Sequence, residues 1–414
     1  MKTNWKTNVA LFMAGQAITL FGSMMVGYAV MWHITLKTQS GLMMTLLAIA
    51  NTIPIFLISP FGGVWADRFN KKHLINISDG IIAIISLFMA FLFSAGIEWY
   101  ALLIICLVMR AFGQGVQTPT VSALIPTITP EEKLMKVNGI QGAIMSLVMF
   151  ASPMAGAAVL AIAPIHALLF IDVITATIGI SILAFFVRVP RQEKKDARPS
   201  YWTELKEGMI YIKKHKFVRK FMLLAAVFCI LIAPAGFLTP LQVVRNWGGE
   251  LMNIFHFQVI DEHRLAIIEV LFSVGMVLGG GIIAAWGGFK NKSYTLGAAI
   301  ALNAVGMVTL GLLTNFWLYS VCMGFIGMTV ALQNAPIATM LQTNVEPDFM
   351  GRVFSVLNMI TSVAMPIAMI VFGPLGDIIS IEWILIFTGI LLFAFSFIAF
   401  LDKDLLRAGL KNSD

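Results

Sequence analysis

Apolar residues run through the whole chain in stretches of about twenty or more, separated by short clusters of charge, glycine and proline. Twelve stretches can be placed: 8–34, 41–66, 74–96, 99–125, 137–162, 165–187, 217–245, 264–286, 293–313, 316–341, 352–376 and 383–401. A helix of that length crosses the hydrocarbon core of a bilayer, roughly 30 Å thick. The pattern predicts an all-α membrane protein with twelve transmembrane helices.

Composition agrees: 59% of the 414 residues are hydrophobic and 12% charged, against about 45–50% and 25% in soluble domains. That balance excludes a soluble enzyme. The first stretch follows Lys2 and Lys6 as a secretion signal would. It exceeds the ~7–15 apolar residues of a signal and ends in no small-residue cleavage site, so it is expected to stay in the mature protein.

The net charge of +7 would suggest nucleic acid if the basic residues formed a patch, but they lie between the apolar stretches. With the N-terminus inside, 24 of the 28 Lys and Arg fall on the inner side; Lys37, Arg245 and Arg264 fall outside and Arg110 within a span. Basic residues are retained on the cytoplasmic side during insertion, so both termini are expected in the cytoplasm of a cell-membrane protein, with no nucleic acid as partner. Cys106, Cys229 and Cys322 read as packing residues, and the six histidines show no metal spacing. No cofactor or metal is implied.

The longest inner segment divides the chain into residues 1–187, a cytoplasmic linker 188–216, residues 217–402 and a tail 403–414. Within the linker, Trp202, Leu205, Met209 and Ile212 recur at helical spacing beside Lys206, Lys213 and Lys214, the pattern of a helix lying on an anionic leaflet. Sliding the sequence along itself by 217 positions sets Pro119 on Pro336, Pro130 on Pro347 and Gly63 on Gly280. A duplicated six-helix unit explains the coincidence, giving two pseudo-symmetric bundles. Paired repeats of this kind are transporter architecture, alternating access by rocking about a central site. There is no nucleotide-binding loop G-x-x-x-x-G-K-[ST], so an ion gradient or the substrate's own gradient must drive transport.

The loop after the second span reads Gly63-Val-Trp-Ala-Asp67-Arg68-Phe-Asn-Lys71-Lys72. It resembles the motif G-x-x-x-D-R-x-G-R-[KR] of the major facilitator superfamily, which implies a cytoplasmic latch formed by Gly63, Asp67, Arg68, Lys71 and Lys72. Read from the residues alone, the glycine lets two helices approach, Asp67 can meet a neighbouring helix dipole or base and the bases hold the cytoplasmic side; the plainer alternative is that Arg68, Lys71 and Lys72 only set topology and Asp67 is a solvated helix end. Asn70 stands at the second glycine and tolerates a left-handed turn, while the second-half counterpart has Ala284 in place of the acid. In the fourth span Arg110 precedes Gln114 and Gly115. An arginine at mid-helix costs about 2.5–3.5 kcal/mol even on insertion scales and should face an interior cavity; in antiporters of the family a like arginine is linked to proton coupling. Ser152-Pro153-Met154-Ala155-Gly156 is similar to the family's G-P-x-x-G, with Pro153 and Gly156 as a helix-bending motif that permits close approach.

Four acids lie at or near membrane depth: Asp79, Asp172, Glu269 and Asp377. A carboxyl taken out of water is held neutral more readily, as a proton carrier requires. Glu269 and Asp172 are ranked first, with Arg110, as proton or cation sites. Asp79 stands beside them as a further coupling candidate, with pairing to the basic loop before it the favoured reading, and Asp377 is expected to lie at the water interface. Gln16, Asn51, Gln114, Gln117, Gln333, Asn334 and Asn358 are candidate cavity-lining amides, with interhelical hydrogen bonding as the alternative for each.

Three further segments resemble the macrolide-efflux group of the superfamily: Thr203-Glu204-Leu-Lys-Glu207-Gly208, Ile268-Glu269 through Gly279-Gly280, and Gly351-Arg352-Val-Phe354-Ser355. The resemblance covers essentially the whole chain. It implies a monomeric, proton-driven exporter of amphipathic small molecules, fourteen-membered-ring macrolides being the named example. Siderophore or metabolite export, uptake by symport, and a non-transporting sensor or scaffold are the rival readings. No nucleophile with a partnered base is found, which argues against an enzyme.

Overall fold

A computed structural model describes residues 5–189, 201–248, 252–254, 257–259 and 261–410. Twelve helices among them are long and apolar enough to cross a membrane. In chain order the helices are α1 (Trp5–Thr38), α2 (Gly41–Arg68), α3 (Lys71–Ser94), α4 (Tyr100–Ile128), α5 (Leu134–Ile162), α6 (Ile165–Ser181), α7 (Tyr201–Lys214), α8 (Lys216–Phe237), α9 (Thr239–Trp247), α10 (Asp261–Trp286), α11 (Lys292–Leu312), α12 (Phe316–Asn344), α13 (Pro347–Ile378), α14 (Ile381–Leu401) and α15 (Lys403–Leu410). A small antiparallel hairpin, β1 (Met252–Ile254) with β2 (Phe257–Val259), sits between α9 and α10, a departure from a purely helical chain.

The outer faces of these helices are apolar. Ile84 is 68% exposed, Phe185 81% and Leu223 65%, a surface that only lipid solvates well. Polar side chains are turned inward instead, among them Asp79, Arg110, Asp172 and Asn303.

The chain forms two compact units, one of residues 1–34 and 46–202, the other of residues 35–45 and 203–414. The division falls inside α7 rather than at either end of the linker, and the turn between α1 and α2 groups with the second unit.

In the first unit α3 packs between α4 and α6. Asn70 caps α3 by accepting from the backbone N–H of Lys72 and His73, and α6 ends in a π-helical turn, Ile182–Phe186. Val9, Phe12, Met13, Ile75, Leu124, Ile128 and Leu183 gather in one buried apolar cluster where α1 and α3 begin and α4 and α6 finish. Asn8 pins the chain as it leaves α6, donating to the Arg188 carbonyl (2.7 Å) and accepting from the Arg188 N–H (2.8 Å).

In the second unit α11 packs on α12 and α14, α10 on α12, and α13 on α8. The linker helix α7 belongs here. The Tyr211 ring stacks between Phe349 and His215, Glu207 pairs with Arg352 at 3.1 Å, and the Tyr211 hydroxyl accepts from the Glu346 N–H. One side of α7 is therefore seated on the start of α13, while Lys206, Met209, Ile210, Lys213 and Lys214 are exposed. The side chains of Trp202 and Leu205 lie outside the described residues.

Candidate functional site

Four helices of the first unit converge on one buried ion pair. Arg110, on α4, is 3% exposed and Asp172, on α6, fully buried. The guanidinium Nη1 donates to Asp172 Oδ2 at 2.6 Å. Ser86 on α3 donates to the same oxygen at 2.6 Å, and Ser23 on α1 to Oδ1 at 3.0 Å. Small residues make this approach possible. A Cβ on Gly22 would strike Thr175, and one on Gly179 would strike Thr19, so α1 and α6 cross almost in contact. The arginine anticipated from its insertion cost does face the interior, where three hydrogen bonds and an opposite charge answer the desolvated carboxylate.

Asp79 lies beside this pair on α3, 1% exposed. Neither carboxylate oxygen has a hydrogen-bond partner among the described residues. Gln16 and Gln117 adjoin it, and Asp172 is near enough for its charge to be felt. The two amides are engaged with each other, Gln117 Nε2 donating to Gln16 Oε1 at 2.9 Å. The expected pairing of Asp79 with the preceding basic loop does not form. Lys72 turns instead to the carbonyls of Ala184 (2.7 Å) and Val187 (2.9 Å), capping the π-helical end of α6.

At the latch motif, the close approach falls one position before Gly63. A Cβ on Gly62 would lie 2.8 Å from the Gly115 carbonyl oxygen on α4, whereas one on Gly63 would meet nothing within 4 Å. Arg68 is exposed and Lys71 buried; the side chain of Asp67 lies outside the described residues. In α5, Pro153 is buried, Ser152 donates to the Phe21 carbonyl at 3.4 Å and Gly156 abuts Met25, so this stripe packs on α1.

The remaining amides scatter. Asn51 donates back to Leu47 of its own helix, Gln114 is partly buried, Gln333 is buried, and Asn334 and Asn358 are exposed. Glu269, on α10 of the second unit, is partly buried and makes no hydrogen bond or ion pair among the described residues.

Two charged sites of the second unit make contacts that the sequence pattern does not specify. Arg264, counted as an outer-side residue, is fully buried. It lies 5.8 Å from the Phe316 ring centroid and donates to the Trp247 carbonyl, while Trp247 packs edge-on against Phe316 and Tyr319. Asp377 does more than meet water. It accepts from the N–H groups of Gly41 (2.7 Å) and Leu42 (2.9 Å), the Ser40 hydroxyl (3.1 Å) and Arg245 Nη2 (2.8 Å). Aromatic neighbours contributed by α9 and α12 were the missing signal for Arg264.

Among the described residues no cluster of three or more His, Cys, Asp or Glu could hold a metal. What the first unit offers is a buried polar cluster of one guanidinium, two carboxyls and two hydroxyls within an apolar bundle.

The sequence profile of the Major Facilitator Superfamily matches residues 12–260 and 250–412. Macrolide efflux protein A of Streptococcus pyogenes is 26% identical over 415 residues, covering 99% of each chain. Its namesake in Enterococcus faecalis is 26% identical over 330 residues, covering 78% of this chain and 98% of the relative. Among solved structures, the bacterial homologue of the human lysosomal transporter Spinster, inward-facing and unoccupied, superposes with a TM-score of 0.71 at 14% identity, covering 99% of this chain and 98% of that one. Profile, fold and length agree over both halves: the chain belongs to the Major Facilitator Superfamily, a multi-pass membrane transporter and not an enzyme.

Proposed function

We propose that this transporter exports amphipathic small molecules, macrolide-like in size and polarity, in exchange for protons, from a cell membrane in which both termini are cytoplasmic and the chain acts as a monomer. The observation that carries the coupling is the sealed cluster of Arg110, Asp172 and Asp79. Burying charge in a bundle is unfavourable and contributes little to stability that apolar packing would not match. A transporter retains such groups where a proton or ion must be bound and released. The efflux named for relatives aligned over nearly the whole chain supports export of a bulky substrate.

Everted membrane vesicles test this reading. A proton gradient, acid inside, is expected to drive uptake of a radiolabelled fourteen-membered macrolide, and collapsing the gradient with a protonophore to abolish it. Uptake indifferent to the gradient would remove the coupling. Loss of macrolide from the lumen of loaded vesicles, coupled to proton exit, would point to uptake by symport instead.

A further inference from the structure

The cluster in the first unit contains one cation and two acids, so charge neutrality requires one proton. We infer that Asp79 is the residue that holds it, and that substrate arrival releases it to water. This rests on the antiport reading above and deepens it by assigning the carrier.

The argument is one of satisfied and unsatisfied atoms. Asp172 has both oxygens engaged: Oδ2 by Arg110 and Ser86, Oδ1 by Ser23. Its charge is answered by the guanidinium. Asp79 is buried as deeply, yet both its oxygens lack a partner among the described residues. A lone carboxylate in such a place is strongly disfavoured against its neutral form, and neutralisation is the usual escape. The nearby amides of Gln16 and Gln117 carry no charge to answer a carboxylate, and they are engaged with each other.

Among the described residues no other charge is placed to substitute. On α4 the ionisable neighbours are Arg110, already paired, and Cys106 beside it. On α6 the neighbour is Asp172, whose charge disfavours a second anion. Helix α1 presents the neutral Gln16 there. On α3 itself Lys72 is bound to the end of α6, and Lys71 and His73 lie six to eight residues nearer the inner end, about 9–12 Å away along the helix. Lys6, Arg68, Glu132, Lys133, Lys136 and Arg188 are exposed.

The step balances simply. Hydronium gives its proton to the Asp79 carboxylate, forming one O–H bond and leaving water. On release the O–H bond breaks and the proton returns to water, with Asp79 left anionic for as long as water or bound substrate solvates it.

Infrared spectroscopy of the purified full-length protein in lipid reads this directly. At neutral pH the wild type is expected to show the carbonyl stretch of a protonated carboxylic acid. Asp79→Asn should lose that component, while Asp79→Glu should keep it at a shifted frequency. Absence of any such band in the wild type, which needs no variant, or an unchanged band in Asp79→Asn overturns the assignment. In everted vesicles, Asp79→Asn should lose proton-gradient-driven macrolide uptake. If the wild type is driven by the gradient and Asp79→Asn is driven equally, the assignment fails and antiport stands. If the wild type is not driven at all, antiport fails, while the infrared band still decides whether Asp79 holds a proton.

Discussion

The two halves share a helix plan but not an interior. Carried across by the 217-position repeat, Arg110 falls on Gly327 and Asp172 on Gly389. The first unit spends these positions on a buried ion pair; the second spends them on contact. A Cβ on Gly327 would run into the Phe272 carbonyl on α10, and one on Gly389 would sit 2.8 Å from Val308 Cγ2 on α11. Duplication thus supplied one scaffold twice, and charge was kept in a single copy. The interior acid of the second unit, Glu269, has Thr52 as its counterpart. Chemistry and packing have been divided between the repeats, so substitutions at matched positions should fail for different reasons.

The sharpest division is expected at the ion pair itself. Removing one partner, as in Arg110→Met or Asp172→Leu, leaves the other buried and unanswered, which should destabilise by about 3–5 kcal/mol. The double variant restores an apolar interior, so its thermal unfolding midpoint in detergent should return to near the wild-type value while transport stays absent. A double variant as unstable as the singles would mean that the pair holds the fold together, and the contrast with Gly327 and Gly389 would lose its meaning.

Next in size is the packing side. Gly327→Leu forces α10 and α12 apart and should cost about 1–3 kcal/mol, as overpacking does. Gly280→Ala, whose new Cβ would meet nothing within 4 Å, should leave the unfolding midpoint unchanged or slightly raised, since alanine favours helix. Equal losses from both would show that glycine content, and not the crossing, matters.

A smaller loss is expected at the outer end of the second unit. Asp377→Asn removes a charged acceptor shared by Ser40, Gly41, Leu42 and Arg245, worth about 1–3 kcal/mol where groups are left unsatisfied. Hydrogen exchange over residues 39–43 should rise and that over α3 should not. Spread of the effect into α3 would contradict the grouping of the α1–α2 turn with the second unit.

The smallest effect concerns pH at the inner end. Burial pulls the Asp402 carboxyl upward, but Lys220 at 2.5 Å and the N–H groups of Leu405 and Asp404 outweigh it and hold it below the ordinary carboxylate value. For Asp404 the Lys220 hydrogen bond is the largest influence, opposed by burial and aided by Lys216, again with a net lowering. Groups lowered on folding stabilise above their unfolded pKa, about 3.9 for Asp, and lose that contribution as pH falls through the folded value. Exchange protection of α15 should therefore be flat from neutral pH down to about 5 and decline below about 4. A decline near neutral pH would mean that other groups dock α15.

The scaffold was legible because lipid demands so much of a sequence: about twenty apolar residues per span and bases on one side leave few alternatives. Arg110 stood out for the same reason. Asp172 stood out as a membrane-depth acid but not as its partner, since it is 62 residues away on another helix and no local pattern links them. Proximity in sequence misled for Asp79, where Lys72 is near along the chain but turned toward the carbonyls of α6. One residue separates Gly62 from Gly63, yet on a helix that is about 100° of rotation, enough to move the close approach off the motif glycine. The burial of Arg264 was not legible because an aromatic setting assembled from α9 and α12 has no signature in its own segment.

Proton release on substrate addition addresses the coupling claim with the fewest intermediaries. Purified protein in weakly buffered detergent should acidify the medium when a fourteen-membered macrolide is added, and Asp79→Asn should bind the macrolide without acidification. A wild type that binds without releasing protons, or a variant that releases as many, would contradict the account.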